Sequence, residues 1–452
     1  MIGRENEKAF LLKKARSGAP ELVVLYGRRR VGKTFLLENS FPGALFLTAD
    51  LSDTASLISR FSIPVKEMLG LPQTLAVTDW DTFFDLLAQS LAQTDTPVIW
   101  DEFQYIPQRD PAFLSVFQRW WDSTFSRTPV TMVLCGSFIG MMEKLALAQN
   151  SPLYGRRTAQ YHLRPLDFFS AQQFIPHMEP VDRVSLYSIT GGIPLYLKQF
   201  SSFSSLKKGL MTKVLAPGEF LVEEGRFLVL EEFKKDPSTY FSILKAVASG
   251  RTRSSEIAQL TGVPHHNLPP YLRNLINLRL LSREYPFSLK KPKNRPLYVI
   301  EDEYLRFYFR YLFDAQELIY RERGSDVLER ISASLPEHVS FVFEKICRSW
   351  LAINVAPEKL GRWWDKNEEL DIAAVSDNTL FAAECKWTNQ PVGRKTYGNL
   401  LRKTALLQQA LGREWDTTQY YLFSKSGFRD IAASPGLHMV DLGTMAEETA
   451  GS

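Results

Sequence analysis

One stretch constrains this chain more than any other: Gly27-Arg28-Arg29-Arg30-Val31-Gly32-Lys33-Thr34, set between the apolar run Leu22–Tyr26 and the helical run Phe35–Glu38. Strand, glycine-bracketed loop and helix in that order bring backbone N–H groups together at a helix start, where the helix dipole favours an anion. Gly27 and Gly32 permit backbone conformations closed to other residues and let those N–H groups approach phosphate oxygens. The G-x-x-x-x-G-K-[ST] pattern thus predicts a nucleotide site in which Gly27, Arg28, Arg29, Arg30, Val31, Gly32, Lys33, Thr34 and Phe35 contact the nucleotide. Lys33 would reach the β- and γ-phosphates and the Thr34 hydroxyl would bind Mg²⁺, so ATP and Mg²⁺ are the expected cofactors.

Such a site needs an acidic strand end, and Pro97-Val98-Ile99-Trp100-Asp101-Glu102 supplies it. Asp101 is expected to hold Mg²⁺, and Glu102 to act as general base on the attacking water. The run Val130–Cys135 ends at Gly136-Ser137, where Ser137 could sense the γ-phosphate. Arg156 and Arg157 could supply a transition-state cation, in cis or from a second copy of a homo-oligomer; the alternative is a turn with a solvated basic pair.

Apolar runs at Leu22–Tyr26, Ala44–Thr48, Pro97–Trp100, Val130–Cys135 and Ala159–Leu163 alternate with helical patterns, which predicts an α/β domain with a mostly parallel sheet over residues 1–175. Helical patterns follow over 176–236 and read as a lid. Pro237 and Pro336 are the best boundary marks. They delimit three helical patterns and a β-like pair over 237–301, an aromatic helical connector over 302–335 and a second α/β unit over 336–452.

The first half resembles the prokaryotic and archaeal DEXX-box ATPases, a branch of the AAA/STAND-type P-loop NTPases. The resemblance rests on Ile2-Gly3-Arg4-Glu5, the loop at 27–34, Asp101-Glu102-Phe103-Gln104, Cys135-Gly136-Ser137, Tyr154-Gly155-Arg156 and Gly191-Gly192-Ile193-Pro194. It implies that Ile2–Glu5 and the turn ending at Pro194 lie near the adenine.

Between Lys245 and Ile300 stand ten basic residues against only Glu256 and Glu284, on a chain whose net charge is +4. The element order there is that of a winged helix-turn-helix: Tyr240–Ala248, then Ser254–Leu260 with Ser254 as N-cap, then His266–Asn277, then two strands joined by the basic hairpin Lys290–Arg295. This predicts DNA contact through residues 245–300, with His265, His266, Asn267 and Arg273 near the major groove and the hairpin on phosphates. The alternative is a protein-interaction or lid module.

In the last unit, helix Val339–Ala352 carries Glu344, strand Leu370–Val375 carries Asp371 after Glu369, and strand Leu380–Trp387 carries Glu384 and Lys386 on one face. Glu344, Asp371 and Glu384 are candidate metal ligands, with the Cys385 carbonyl as a further one, and Asp371, Glu384 and Lys386 are candidate catalytic residues for phosphodiester cleavage. The set, with Trp363-Trp364 before the first strand, resembles the PD-(D/E)XK restriction-endonuclease-like superfamily, although Leu370 stands where the leading proline would be. Two readings remain open: a metal-dependent nuclease gated by ATP, or an ATP-responsive DNA- or protein-binding switch whose nuclease fold is inactive.

At 45% hydrophobic and 23% charged residues, the chain is neither disordered nor fibrous. No stretch is long and apolar enough to span a bilayer, the N-terminus is charged from Arg4, and the three cysteines are far apart, so a cytoplasmic protein with no membrane partner is expected.

Overall fold

The structure, a computed structural model, describes residues 1–233, 235–290 and 296–449. It forms two units, Met1–Leu166 with Ile193–Leu195, and Asp167–Gly192 with Tyr196–Ser452.

The first unit is built on five strands: β1 Glu21–Tyr26, β2 Leu45–Thr48, β3 Val98–Asp101, β4 Thr131–Gly136 and β5 Ala159–His162. All are parallel, in the order β2-β3-β4-β1-β5. β1, β3 and β4 are buried from end to end, as expected of strands covered on both faces. Trp100 anchors one face, with its ring about 6 Å from those of Phe61, Phe83, Phe84, Phe113 and Phe117. Such edge-on and tilted aromatic contacts add to the burial of large apolar area. The inner strands β3, β4 and β1 run side by side, which puts the ends of β1, β3 and β4, and the loops that follow, along one edge.

The second unit opens with the short helix Phe168–Ala171, followed by the helices Pro180–Thr190, Leu206–Lys213 and Phe220–Glu232. Helices Pro237–Ala248, Ser254–Thr261 and Leu268–Asn277 lead into the antiparallel ribbon of β6 Leu281–Glu284 and β7 Leu297–Ile300. Two details differ from the sequence expectation. The second helix is capped at Arg253, whose N–H donates to Glu256 Oε2 at 3.1 Å, and Ser254 is its first helical residue. The third begins at Leu268, because Pro269 and Pro270 suit only the first turn; His265, His266 and Asn267 therefore precede it. The hairpin residues Lys291–Arg295 lie outside the described residues.

Pro336, read from the sequence as a boundary, falls inside the helix Gly324–Val355. A proline there removes one N–H, while Val339, Val342, Phe343, Ile346 and Trp350 bury a continuous stripe that carries the helix on. That stripe covers one face of a second sheet, formed by β8 Lys359–Asp365, β9 Glu368–Ser376, β10 Thr379–Lys386, β11 Thr417–Ser424 and β12 Leu437–Asp441. The order is β12-β11-β10-β9-β8, with β8, β9 and β10 antiparallel and β10, β11 and β12 parallel. Trp363 and Trp364 lie within β8 and not before the first strand. Leu400 and Leu407, on helix Arg394–Leu411, pack on the other face against Leu380, Ala382 and Leu422.

Among the described residues no helix is long and apolar enough to cross a membrane.

Candidate functional site

The loop after β1 has the close packing its glycines allow. A Cβ on Gly27 would stand 2.3 Å from the Leu163 carbonyl oxygen, so no other residue fits, and Gly32 takes φ 93° as the helix Lys33–Ser40 begins. Arg30 adopts φ 68°, a left-handed conformation that costs a non-glycine residue about 1 kcal/mol or more. Lys33 is buried, and its ammonium donates to the Gly27 carbonyl at 2.9 Å and the Arg28 carbonyl at 3.2 Å. Arg4 clamps the loop from outside: Nη2 donates to the Val31 carbonyl (3.1 Å) and the Arg164 carbonyl (2.7 Å), and Nη1 pairs with Glu7 (2.9 Å). Phe35 is exposed, and Pro194 starts the helix Pro194–Phe200, with Ile193–Leu195 belonging to the first unit.

The acidic strand end meets the loop directly. The Thr34 hydroxyl donates to Asp101 Oδ2 at 3.0 Å, and Asp101 Oδ1 accepts the Glu102 N–H at 3.0 Å. Asp101 also lies against Cys135, whose thiol is pushed well up by burial and by that carboxylate. Glu102 sits at φ 50° and its Oε2 accepts from Ser137 Oγ (2.7 Å) and from the Gln104 side-chain amide. A left-handed conformation at a non-glycine residue is costly and persists only where the surroundings hold it, as these two side chains do. Ser137 thus stands against Glu102. Gln104, fully buried, completes this bracket; the sequence marked it only as the last residue of the Asp101–Gln104 motif, without a role.

Arg156 is held by partners close to it. Its Nε and Nη2 form a bidentate pair with Asp122, both at 2.7 Å, and Nη1 donates to the Pro152 carbonyl at 2.8 Å. Its donors brace the helix Phe113–Ser123 against the turn at 152–156. Arg157 lies over the Tyr154 ring, 5.5 Å from its centre.

Thr34 and Asp101 offer hard oxygen donors side by side, a set that suits Mg²⁺. The C-terminal carboxylates do not form a comparable set. The register between β8 and β9 slips from Gly361↔Ala373 to Trp363↔Leu370, so Arg362 alone faces Asp371 and Ile372. This bulge re-aims Asp371, whose Oδ2 accepts the Cys385 N–H at 2.7 Å and lies 3.6 Å from Lys386 Nζ. Glu384 is 2% exposed and binds two lysines, Lys386 on Oε2 and Lys403 Nζ on Oε1 at 2.5 Å. Burial and Glu384 raise the Asp371 carboxyl; burial and Asp371 push Glu344 up to about 8 against the pull of Arg362 and Arg348. Burial disfavours charged Lys386, but Asp371 and Glu384 outweigh it and its pKa rises. Asp371, Glu384 and Lys386 therefore converge as expected, whereas the three-carboxylate metal set with Glu344 is not assembled. Among the described residues no group of three His, Cys, Asp or Glu side chains could hold a metal ion. Lys403, brought from the helix Arg394–Leu411, carried no local sequence signal. Cys135, Cys347 and Cys385 are free and buried.

In the basic module Arg251, Arg253, Arg273, Arg283, Lys290, His265 and His266 are exposed. Ser254 Oγ lies 3.2 Å from His265 Nε2.

A family described as an ATPase domain predominantly from Archaea matches residues 1–200. A second, described as archaeal and bacterial proteins of unknown function, matches residues 308–398. An uncharacterized protein of Methanocaldococcus jannaschii is 34% identical over 423 residues, covering 90% of this chain and 92% of its own. Among solved structures, the ORC1 protein of Aeropyrum pernix, in complex with DNA, is 12% identical over 73% of this chain and 94% of its own, with a TM-score of 0.37. A signal-transduction ATPase with numerous domains and a tetratricopeptide repeat sensor, from Pyrococcus horikoshii, is 17% identical over 79% of this chain, with a TM-score of 0.33; the chain spans half of that protein's length. Two lines of sequence likeness therefore fix the assignment: the chain belongs to one family with the Methanocaldococcus jannaschii protein, and its first 200 residues are a P-loop ATPase domain of the type found predominantly in Archaea.

Proposed function

We propose that this chain hydrolyses ATP at the 27–34 loop and that turnover switches a DNA-facing basic module at residues 237–301. The observation that carries the reading is the contact of Thr34 with Asp101 at 3.0 Å, next to a Glu102 held in place by Ser137 and Gln104. The backbone of the loop and Lys33 would bind the phosphates. Thr34 and Asp101 would hold Mg²⁺, which neutralises phosphate charge when bound. Glu102 would take the proton of the attacking water, with Ser137 and Gln104 fixing its carboxylate so that little orientation is lost at reaction. Glu102→Gln in a phosphate-release assay tests this: nucleotide binding persists and turnover falls. Unchanged turnover sinks the assignment of the base.

The basic module supports a DNA role through exposed Arg251, Arg253, Arg273 and Arg283 on an element order that fits a winged helix. Lys245, by contrast, is paired with Asp314.

A second reading, a metal-dependent nuclease, is favoured by the convergence of Asp371, Glu384 and Lys386 on one sheet. Plasmid cleavage that Lys386→Ala abolishes, in protein that still turns over ATP, would establish it; cleavage that survives Lys386→Ala would remove it.

A further inference from the structure

Glu384 is nearly sealed from solvent, yet both its oxygens are occupied by ammonium groups from different elements. Lys386 comes from the same strand, at the spacing that places two side chains on one face. Lys403 comes from helix Arg394–Leu411, which carries Arg394, Lys395, Arg402 and Lys403 and not one acidic residue, so no carboxylate on its own helix competes for it. Glu368, a second carboxylate that feels the Lys403 charge, is already engaged: Arg402 takes both its oxygens, at 2.7 and 2.9 Å. Asp371, the other carboxylate, has Oδ2 on the Cys385 N–H and near Lys386. Two buried carboxylates thus face two half-buried lysines. A hard divalent ion needs several free oxygens at short range, and here Glu384 offers neither of its oxygens unpaired.

We propose that Lys403 is a built-in cation for this cluster: its ammonium takes the Glu384 oxygen that a divalent ion requires, so the Asp371–Glu384 pair binds no metal while Lys403 is seated. Lys403 is then the residue that sets whether this domain takes a divalent ion, and Lys386 alone does not. The helix matters as much as the strand, because only the helix delivers the second positive charge. This inference runs against the nuclease reading, since the wild-type pair would take no metal, and it stands apart from the ATPase reading, since it concerns metal binding by the C-terminal cluster alone.

The test is Mn²⁺ binding by the full chain, measured as loss of the free-ion electron paramagnetic resonance signal, in wild type, Asp371→Asn, Lys403→Met and Lys403→Met/Asp371→Asn. The nucleotide loop contributes equally to all four. The expected result is that wild type and Asp371→Asn bind the same amount, that Lys403→Met binds about one Mn²⁺ more per chain, and that Asp371→Asn cancels the gain in the double variant. Removing Lys403 leaves a buried carboxylate half-paired, a change that is strongly destabilising. If Lys403→Met does not fold, the wild-type comparison still decides. Equal binding by wild type and Asp371→Asn supports the proposal, and a site lost in Asp371→Asn overturns it. A folded Lys403→Met that gains no Mn²⁺ overturns it as well. Failure here with phosphate release intact leaves the ATPase reading standing; loss of phosphate release in wild type with these Mn²⁺ results does the reverse.

Discussion

Replacing Arg4 by alanine should damage the nucleotide site from outside it. Arg4 is 6% exposed and its guanidinium satisfies two backbone carbonyls, Val31 in the phosphate loop and Arg164 just after β5. Hydrogen bonds from a charged group contribute about 1.5–3 kcal/mol each. Two at the low end come to about 3 kcal/mol, before any loss of the Glu7 pair is counted. The loop is also left to order itself when nucleotide binds. Fixing one residue's backbone costs about 1–2 kcal/mol, so ATP affinity should fall by about tenfold. Urea unfolding of the first unit and titration with a fluorescent ATP analogue measure the two effects. Arg4→Lys keeps the charge but loses the planar fork, and should recover only part of each. Unfolding free energy within about 0.5 kcal/mol of wild type, together with unchanged ATP affinity, would refute the clamp.

Three further outcomes follow from the same geometry. Glu102→Gln should bind ATP normally while phosphate release falls by about 10²–10⁴-fold, the usual contribution of a positioned general base. His338 is buried with Nε2 on the Ser188 carbonyl at 2.8 Å, and burial, with Arg306, Arg310 and Lys345 around it, lowers its pKa to about 3. Its unfolded value lies near 6.5, so below that pH the unfolded chain takes up the proton first and stability falls toward pH 3; at pH 5 the loss is about 2 kcal/mol, and His338→Gln should remove that part of the pH dependence in urea titrations at pH 7 and pH 5. Neutralising Arg251, Arg253 and Arg273 together should weaken duplex DNA binding and flatten its salt dependence, by about one unit of the log–log slope for each phosphate that is no longer neutralised; an unchanged slope would remove these residues from the DNA-binding surface.

What the sequence disclosed, and what it withheld, divides along sequence distance. The five strands of the first sheet were legible to within a residue at each end, because each is a short apolar run between turn signals. The phosphate loop was legible because its chemistry requires contiguous residues. β8 escaped notice: Gly361, a register slip and the adjacent Trp363-Trp364 pair break the alternation that marks a strand. Pro336 was read as an end because proline usually ends helices, yet the buried stripe from Val339 to Trp350 carries this one through. At the sites, the missing parts are long-range. Arg4 meets Arg164 and Glu102 meets Ser137 across intervening elements, and no local pattern announces such a contact. Arg156 was read by its charge; only the fold shows that Asp122 takes it in a bidentate pair. In the C-terminal unit the acidic and basic types were legible, but their mutual neutralisation depends on Lys403 from a helix whose packing cannot be read from spacing alone.

The most direct test of the central claim is steady-state phosphate release from ATP by the full chain and by Lys33→Ala, in Mg²⁺, with both proteins shown to be folded. The account predicts turnover by the wild type and its loss to background in Lys33→Ala, because the ammonium of buried Lys33 would be the loop's charge for the β- and γ-phosphates. Turnover by Lys33→Ala at the wild-type rate would contradict it.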